Sequence, residues 1–433
     1  MAVQTATRVV LLVLAAATAR DARAQDASPR PVRGPSRAEP RGDRHQSLDL
    51  TIGLTAAGDN NLVAERAKTS LDPHFQKSAI HSGLRSDLVY ASRGSRLSFD
   101  LKGGTSLRYY PELHDRTTVL HHAGLGVSSA LWPGAKLNVG QTMSYSPYYT
   151  LNFFSPTDGL STSGEFPLAS ADYAVFTRKV FSYQTSADLT QALTRRSSLA
   201  ITYGLRTTNF VERDDPDLKA ERMGATLVHQ LGNGASFHAG YGISIGHLAG
   251  QVTRRSHDLD VGVDYARGLS LTRRMKLGFG SGSSIVPVEH ATHYRARGNA
   301  TLTYEIGRTW GAQLTYTRGL EFIEYDSDPS FFDAVNVNVA GNLGRRLELS
   351  LSAAYSTGQV GITERGRGFE RYTGSSQLRV AMTRYAAAQF QYFYYGYHFA
   401  PGLDLPTDYP RGLGRHGVRA GLTYRAPLYR SRR

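Results

Sequence analysis

The residues of this sequence that could do acid–base chemistry are histidines, some with a carboxylate beside them. They occur at four places, namely His114–Asp115, His121–His122, His247 and His257–Asp258. A histidine beside a carboxylate can act as a general base, but no serine and asparagine stand at a spacing that completes a catalytic set. Adjacent strand residues point to opposite faces, so His121 and His122 are poorly placed to share a metal ion. We therefore expect no enzyme, no metal site and no cofactor.

A second group of candidate residues, aromatic and acidic, lies in the longest segment without a strand pattern, residues 147–170. The group consists of Tyr148, Tyr149, Phe153, Phe154, Asp158 and Glu165. Carboxylates at a narrow opening focus cations, and aromatic rings offer flat faces to sugars. Such residues select solutes and leave them chemically unchanged. The alternative, that this segment packs outside on a rim, stays open at the level of sequence.

The elements that position these residues are stretches of alternating hydrophobicity, about eighteen in number, running from Ser47 to the C-terminus. One stretch alternates Leu97, Phe99 and Leu101 with Ser98, Asp100 and Lys102. Successive strand side chains point to opposite faces, so each stretch has one apolar and one polar face. A β-sandwich has the same alternation, but its strands are usually about 5–6 residues long, whereas a strand needs about 9–11 to cross a bilayer. The length of these stretches favours membrane strands.

The connections between the stretches form two alternating classes, tight turns and longer polar loops. The tight turns are Ser92–Gly94, Pro133–Gly134, Arg195–Arg196, Gly232–Gly234, Arg273–Arg274, Gly307–Arg308, Arg345–Arg346 and Arg384–Tyr385. Short turns at one rim and long loops at the other are typical of transmembrane barrels. We predict an all-β fold, a closed transmembrane antiparallel up-and-down β-barrel of about 18 strands, with 16 as the alternative.

The N-terminal residues predict export. Arg8 precedes the apolar run Val9–Ala17, and Ala22-Arg23-Ala24 is a small-x-small cleavage site, so residues 1–24 are expected to be a signal peptide. Residues 25–46, rich in Pro, Arg, Ser and Asp, are expected to form a flexible periplasmic tail. Residues 47–433 would then form the outer-membrane barrel. The chain contains no cysteine, which excludes a disulfide framework and a lipid-modified cysteine.

The charge pattern places cations and anions on the polar strand faces. The net charge is +14, but the excess arginines are concentrated in the tail, the tight turns and the C-terminus, so no nucleic-acid partner is expected. A charge at mid-strand cannot face hydrocarbon, where it costs about 2–4 kcal/mol. The predicted lumen charges are Arg85, Asp87, Asp100, Lys102, Arg108, Arg206, Arg295, Arg297, Glu305 and Arg379.

Two aromatic groups could touch solute inside such a barrel. The segment 147–170 follows the fifth strand and would be the third external loop, so its residues would form a pore constriction. In general porins, whose layout this chain resembles, the third loop folds into the lumen. On the seventeenth strand, parity predicts that Phe393, Tyr395 and Tyr397 face the lumen, where they could stack on sugars or only fill space.

Ala57-Gly58-Asp59-Asn60-Asn61-Leu62 resembles the Asp-Asn turn early in putative outer-membrane porin-like barrels and exopolysaccharide-locus barrels of Gram-negative bacteria. The resemblance implies a cell outer-membrane protein with lipid and the barrel-assembly machinery as partners. It implies passage of a small hydrophilic solute or saccharide through a porin-like channel. Two alternatives stay open: a barrel associated with exopolysaccharide export, and a non-conducting structural or interaction barrel.

Overall fold

The computed structural model is a barrel of long antiparallel strands and describes residues 45–60, 79–111, 116–147, 179–211, 217–232, 235–265, 274–288, 291–307, 309–322, 329–361, 368–402 and 411–432. No helix among these residues is long and apolar enough to span a membrane. The strands are β1 His45–Asp59, β2 Ala79–Arg93, β3 Leu97–Tyr110, β4 Arg116–Trp132, β5 Ala135–Ser146, β6 Val180–Ala192, β7 Ser197–Phe210, β8 Leu218–Gly232, β9 Ala235–Leu248, β10 Arg254–Tyr265, β11 Met275–Val288, β12 Ala291–Ile306, β13 Trp310–Glu321, β14 Ser330–Asn342, β15 Leu347–Gln359, β16 Gly368–Ala381, β17 Ala386–Phe399 and β18 Gly412–Arg432.

Each strand pairs with its neighbours in sequence, and β1 also pairs with β18, which closes an 18-stranded sheet. The closing seam runs antiparallel from His45↔Arg432 to Asp59↔Gly417, with one bulge between Leu48 and Asp49. Closure leaves no strand edge with unsatisfied backbone groups, which is what a lipid environment demands. The predicted closed up-and-down barrel is confirmed with 18 strands, and the alternative of 16 is wrong.

The outer surface of the barrel is apolar, and the inner surface is polar. On β3, Leu101 is 48% exposed and alternates with inward Asp100 and Lys102, while on β15 Leu351 is 41% exposed between Ser350 and Ser352. Exposed tyrosines such as Tyr109 and Tyr294 lie near the strand ends of this surface. An apolar band flanked by aromatic rings is the surface that lipid requires.

Two of the tight turns share one hydrogen-bonding pattern. The hydroxyl of Thr194 accepts hydrogen bonds from the backbone N–H groups of Arg196 and Ser197. In the same way, the Thr383 hydroxyl accepts hydrogen bonds from the backbone N–H groups of Tyr385 and Ala386. A threonine hydroxyl that bonds the following backbone closes such a turn locally. We call the end of the barrel that carries these turns the turn rim, and the opposite end the loop rim.

The expectation of long loops all along the loop rim is wrong in one region. Strand β11 ends at Val288 and β12 begins at Ala291, which leaves Glu289 and His290 between them. The loop between β9 and β10 is also short, since Leu248 is followed at Arg254 by the next strand, and the Gln251 N–H donates to the Leu248 carbonyl. The connection between β11 and β12 is therefore no longer than the tight turns at the opposite rim.

The assignment of faces predicts opposite results for two adjacent residues of β15. Leu351→Arg puts a charge into hydrocarbon at a cost of about 2–4 kcal/mol near the midplane, whereas Ser350→Arg puts it into the polar interior. We expect Leu351→Arg to lower the yield of heat-modifiable, folded barrel in outer-membrane fractions and Ser350→Arg to leave it close to wild type. Equal yields of the two variants would contradict the assignment.

Candidate functional site in the lumen

The predicted lumen charges lie on the strand faces opposite to the exposed apolar side chains. On β2, Arg85 and Asp87 alternate with exposed Leu84 and Leu88. On β12, Arg295, Arg297 and Glu305 alternate with exposed Tyr294, Tyr304 and Ile306. Asp100, Lys102, Arg108, Arg206 and Arg379 have the inward parity of their strands in the same way. The wall of the lumen therefore carries charges of both signs.

Many of these charges form pairs along the wall. The Arg85 Nε atom lies 2.5 Å from an oxygen of Asp87, and His122 Nε2 lies 3.1 Å from the other oxygen of that carboxylate. Arg93 lies 2.9 Å from Asp100. Further pairs are Arg297–Asp258 at 3.2 Å and Arg379–Glu348 at 3.6 Å. Pairing fixes these side chains against the inner wall of the barrel.

The end of the β13–β14 hairpin leaves the wall and enters the lumen. Pairing of β12 with β13 stops at Gly298↔Arg318, whereas β13 remains paired with β14 up to Glu321↔Ser330. Leu320 has the outward parity of lipid-facing Leu314, yet it is only 6% exposed. We call Leu320–Phe322 together with Pro329–Phe332 the inward tip.

Arginines from distant strands hold one side of the inward tip. Arg206 of β7 donates from Nη1 to the Glu321 carboxylate at 3.3 Å and from Nη2 to the Phe322 carbonyl. Arg222 of β8 donates to the Leu320 carbonyl at 3.3 Å and to the Ser244 hydroxyl at 3.2 Å. Because the strands β8 to β12 separate β7 from β13 in the sheet, these contacts must cross the interior of the barrel.

Apolar contacts hold the other side of the inward tip. Leu320 packs with the fully buried Val286 of β11, and Phe331 packs against both. The guanidinium carbons of Arg318 and Arg295 lie 4.9 Å and 5.7 Å from the centre of the Phe331 ring, within the range of cation–π attraction. The inward tip is therefore anchored by hydrogen bonds to β7 and β8 and by packing on β11 and β12.

Small wall residues make room for the inward tip. A Cβ atom on Gly246 of β9 would collide with the Phe322 ring, whose Cε1 and Cγ atoms would lie 2.6 Å away. Ser244, two residues before this glycine on β9, is also buried. A larger inward side chain at position 246 would occupy the space of Phe322. Gly246 of β9 thus leaves room for the Phe322 ring of the tip.

The inward rings of β17 are buried, unlike the outward ones. Phe393, Tyr395 and Tyr397 are 1%, 4% and 5% exposed, whereas outward Phe390 is 56% exposed. The parity predicted for this strand is confirmed. Tyr397 packs edge to face on Tyr395 at 5.8 Å and tilts against Phe399 at 5.0 Å. Rings packed this closely fill space and present no open face to a passing sugar.

The histidines of the loop rim do not form a catalytic arrangement within the described residues. His257 faces outward and lies 2.6 Å from the Tyr241 hydroxyl, whereas its neighbour Asp258 faces inward, bonded to Ser284 at 2.6 Å. His121 bonds Thr105 at 3.0 Å on the outer face, opposite to inward His122. In the described part of the chain, no three His, Asp or Glu side chains converge as metal ligands would.

Several residues of the sequence-based hypotheses lie outside the described residues. They are the predicted constriction residues Tyr148, Tyr149, Phe153, Phe154, Asp158 and Glu165, and the pair His114–Asp115. The inward tip is the feature that sequence reasoning missed. Glu321 had the correct parity for the lumen, but the same parity rule placed Leu320 in lipid. The alternation of apolar and polar residues continues unchanged where a strand bends out of the wall, so the sequence does not show the bend.

The outer surface decides where the barrel resides. A closed sheet of long strands whose outward side chains are mostly apolar spans lipid and has no polar backbone edge to expose. Such barrels belong to the outer membrane of Gram-negative cells. The chain is an outer-membrane β-barrel.

Known proteins resemble this barrel in structure and not in sequence. No protein-family model matches the chain, and no characterised protein is similar to it in sequence. OccAB3 of Acinetobacter baumannii is 9% identical, with 88% of this chain and 99% of that chain covered and a TM-score of 0.46. OccK2 (OpdF) of Pseudomonas aeruginosa, solved in complex with glucuronate, is 10% identical, with 89% and 98% covered and a TM-score of 0.45. OmpT of Vibrio cholerae, a loop L8 deletion mutant, is 13% identical, with 88% and 99% covered and a TM-score of 0.37.

Proposed function

We propose that the barrel is a porin-like channel for small hydrophilic solutes, narrowed by the inward tip near the loop rim. The observation that carries the proposal is the contact of Arg206 with Glu321 and with the Phe322 carbonyl across the interior. A lumen of this strand number is too wide for wall side chains to fill. A tip held from two sides reduces its width and leaves a polar passage along the wall. Conduction is proposed in preference to catalysis, because His257 and Asp258 face opposite sides of the wall.

We propose a second constriction from the third loop, whose residues Tyr148, Tyr149, Phe153, Phe154, Asp158 and Glu165 combine rings with two carboxylates. Acidic groups there would favour cations at the narrow point, because low-dielectric walls strengthen their field. The loop rim is proposed to face the cell exterior and the turn rim the periplasm. Outer-membrane lipid, the barrel-assembly machinery and the solute would then be the partners of the barrel.

Single-channel recording in planar bilayers tests both the channel and the role of the tip. The wild-type protein is expected to give discrete openings. Arg206→Ala removes two hydrogen bonds from a charged donor, each contributing about 1.5–3 kcal/mol, so the ratio of docked to undocked tip should fall about tenfold or more. We expect the variant to fluctuate between the wild-type conductance level and a higher one.

Lys102→Ala is the control for the loss of one lumen cation, because Lys102 lies on β3 over Gly124, away from the residues that contact the tip. It is expected to keep a single conductance level. Identical fluctuations in both variants would show that the tip is not held by Arg206. A folded wild-type protein without any openings would contradict the channel itself.

A further inference from the structure

A cationic pocket lies at the turn rim, far from the inward tip. Its volume is about 190 Å³, and it lies between the β14–β15 turn, the β16–β17 turn and the adjacent end of β18. Five arginines and one glutamate are the charged residues of its lining, namely Arg345, Arg346, Arg379, Arg384, Arg425 and Glu348. Like charges gathered in one concave site repel one another unless an anion joins them.

The turn arginines of the pocket are not needed to hold the turns together. The backbone closes the β14–β15 turn, since the Leu343 N–H donates to the Leu347 carbonyl at 2.9 Å. Thr383 closes the β16–β17 turn with its hydroxyl, and the Arg425 N–H donates to the Tyr385 carbonyl at 2.8 Å. Both turns therefore keep their backbone conformation without help from the guanidinium groups of Arg345, Arg346 and Arg384. The same backbone positions these groups in the lining of the pocket.

The anions around the pocket balance only part of its charge. Glu348 lies 3.6 Å from Arg379, and Asp49 lies 3.0 Å from Arg425. No carboxylate of the described residues forms an ion pair with Arg345, Arg346 or Arg384. Arg384 instead lies over the ring of Tyr385, with its guanidinium carbon 4.6 Å from the ring centre.

A buried hydroxyl group also lines the pocket. The Thr423 side chain of β18 lines the pocket and is only 4% exposed. Its hydroxyl has no hydrogen-bond partner among the described residues. An unmade hydrogen bond of a buried hydroxyl is costly, and a bound oxyanion would accept it.

We propose that this pocket binds a small multivalent oxyanion, a solute that carries phosphate or several carboxylates. Arginine presents a planar set of donors that matches the oxygens of such groups, and several arginines suit an anion with more than one charge. Glu348, Arg379 and Thr423 have inward parity, so the pocket belongs to the aqueous mouth and not to the lipid face. A soluble anion is therefore assigned in preference to a lipid headgroup. The site does not depend on whether the barrel conducts.

Titration calorimetry of the full-length barrel with inorganic pyrophosphate tests the site. In detergent without anionic lipid, we expect one pyrophosphate per barrel and an affinity that falls with rising salt. Arg345→Ala combined with Arg346→Ala should weaken binding about tenfold or more, because hydrogen bonds to charged groups are lost. Thr423→Val should weaken it by a smaller factor.

The β6–β7 turn supplies a matched control, because Arg195 and Arg196 occupy the corresponding positions of another turn at the same rim and do not line the pocket. Arg195→Ala combined with Arg196→Ala changes the net charge equally and should leave pyrophosphate affinity within about twofold of wild type. Equal weakening in both double variants, or no binding by the wild type, would overturn the proposal. Competition by phosphatidylglycerol in nanodiscs would overturn the assignment to a soluble anion.

Discussion

Removing the inward tip is expected to raise the single-channel conductance about twofold or more, because the narrowest cross-section sets the current through a pore. The variant replaces residues 320–331 by a short glycine-containing turn between Gly319 and Phe332, so that β13 and β14 keep the rest of their pairing. The loss of Leu320 and Phe331 takes away the packing on Val286, and the loss of Glu321 takes away the anchor of Arg206. Planar-bilayer recording at fixed salt measures the result.

The matched deletion removes Phe153–Glu165 from the third loop and shortens the chain by a similar length. If both segments narrow the pore, each deletion raises the conductance and the double deletion raises it further. If the inward tip alone is the constriction, only its deletion has an effect. The folded state of the tip-deletion variant is checked by the change of its gel mobility on heating. If the folded variant has the wild-type conductance, the tip does not limit the current.

Asp59→Asn is expected to lower the free energy of unfolding by about 3–5 kcal/mol, since it removes the carboxylate of an ion pair whose two side chains are almost completely buried. Asp59 is the last residue of β1, and its carboxylate pairs with Arg415 of β18. The two side chains are 1% and 3% exposed, respectively. The pair lies where the first and last strands meet, so the loss acts on barrel closure. Urea unfolding of the refolded protein in detergent, followed by tryptophan fluorescence, measures the change.

Asp333→Asn serves as the control for this prediction. Asp333 pairs with Arg318 at 3.5 Å, but these side chains are 34% and 42% exposed. A partly exposed pair of this kind contributes only about 0–1 kcal/mol, and the amide oxygen of Asn can still accept the hydrogen bond that the Tyr316 hydroxyl donates to Asp333, so this variant should unfold close to the wild type. A similar small effect of both substitutions would show that burial does not set the strength of the Asp59–Arg415 pair.

The sequence by itself determined the strands, their two faces and the positions of most turns. These features follow from a local rule, because successive side chains of a strand alternate between lipid and water. The rule places Leu101 outside and Asp100 inside without any knowledge of the rest of the chain. The turns at Thr194 and Thr383 are equally local, since each hydroxyl bonds backbone groups two and three residues ahead.

Only the tertiary structure decided which residues meet across the barrel. Arg206 and Glu321 are 115 residues apart, and their contact depends on β13 leaving the wall after Arg318. The pocket of Arg345, Arg384 and Arg425 exists because the β14–β15 turn, the β16–β17 turn and β18 lie side by side in the sheet. His257 and Asp258, neighbours in sequence, are separated by the wall. Contacts between distant segments depend on strand register, barrel closure and strand bending. These three properties are set by interactions throughout the sheet and not by any local sequence pattern.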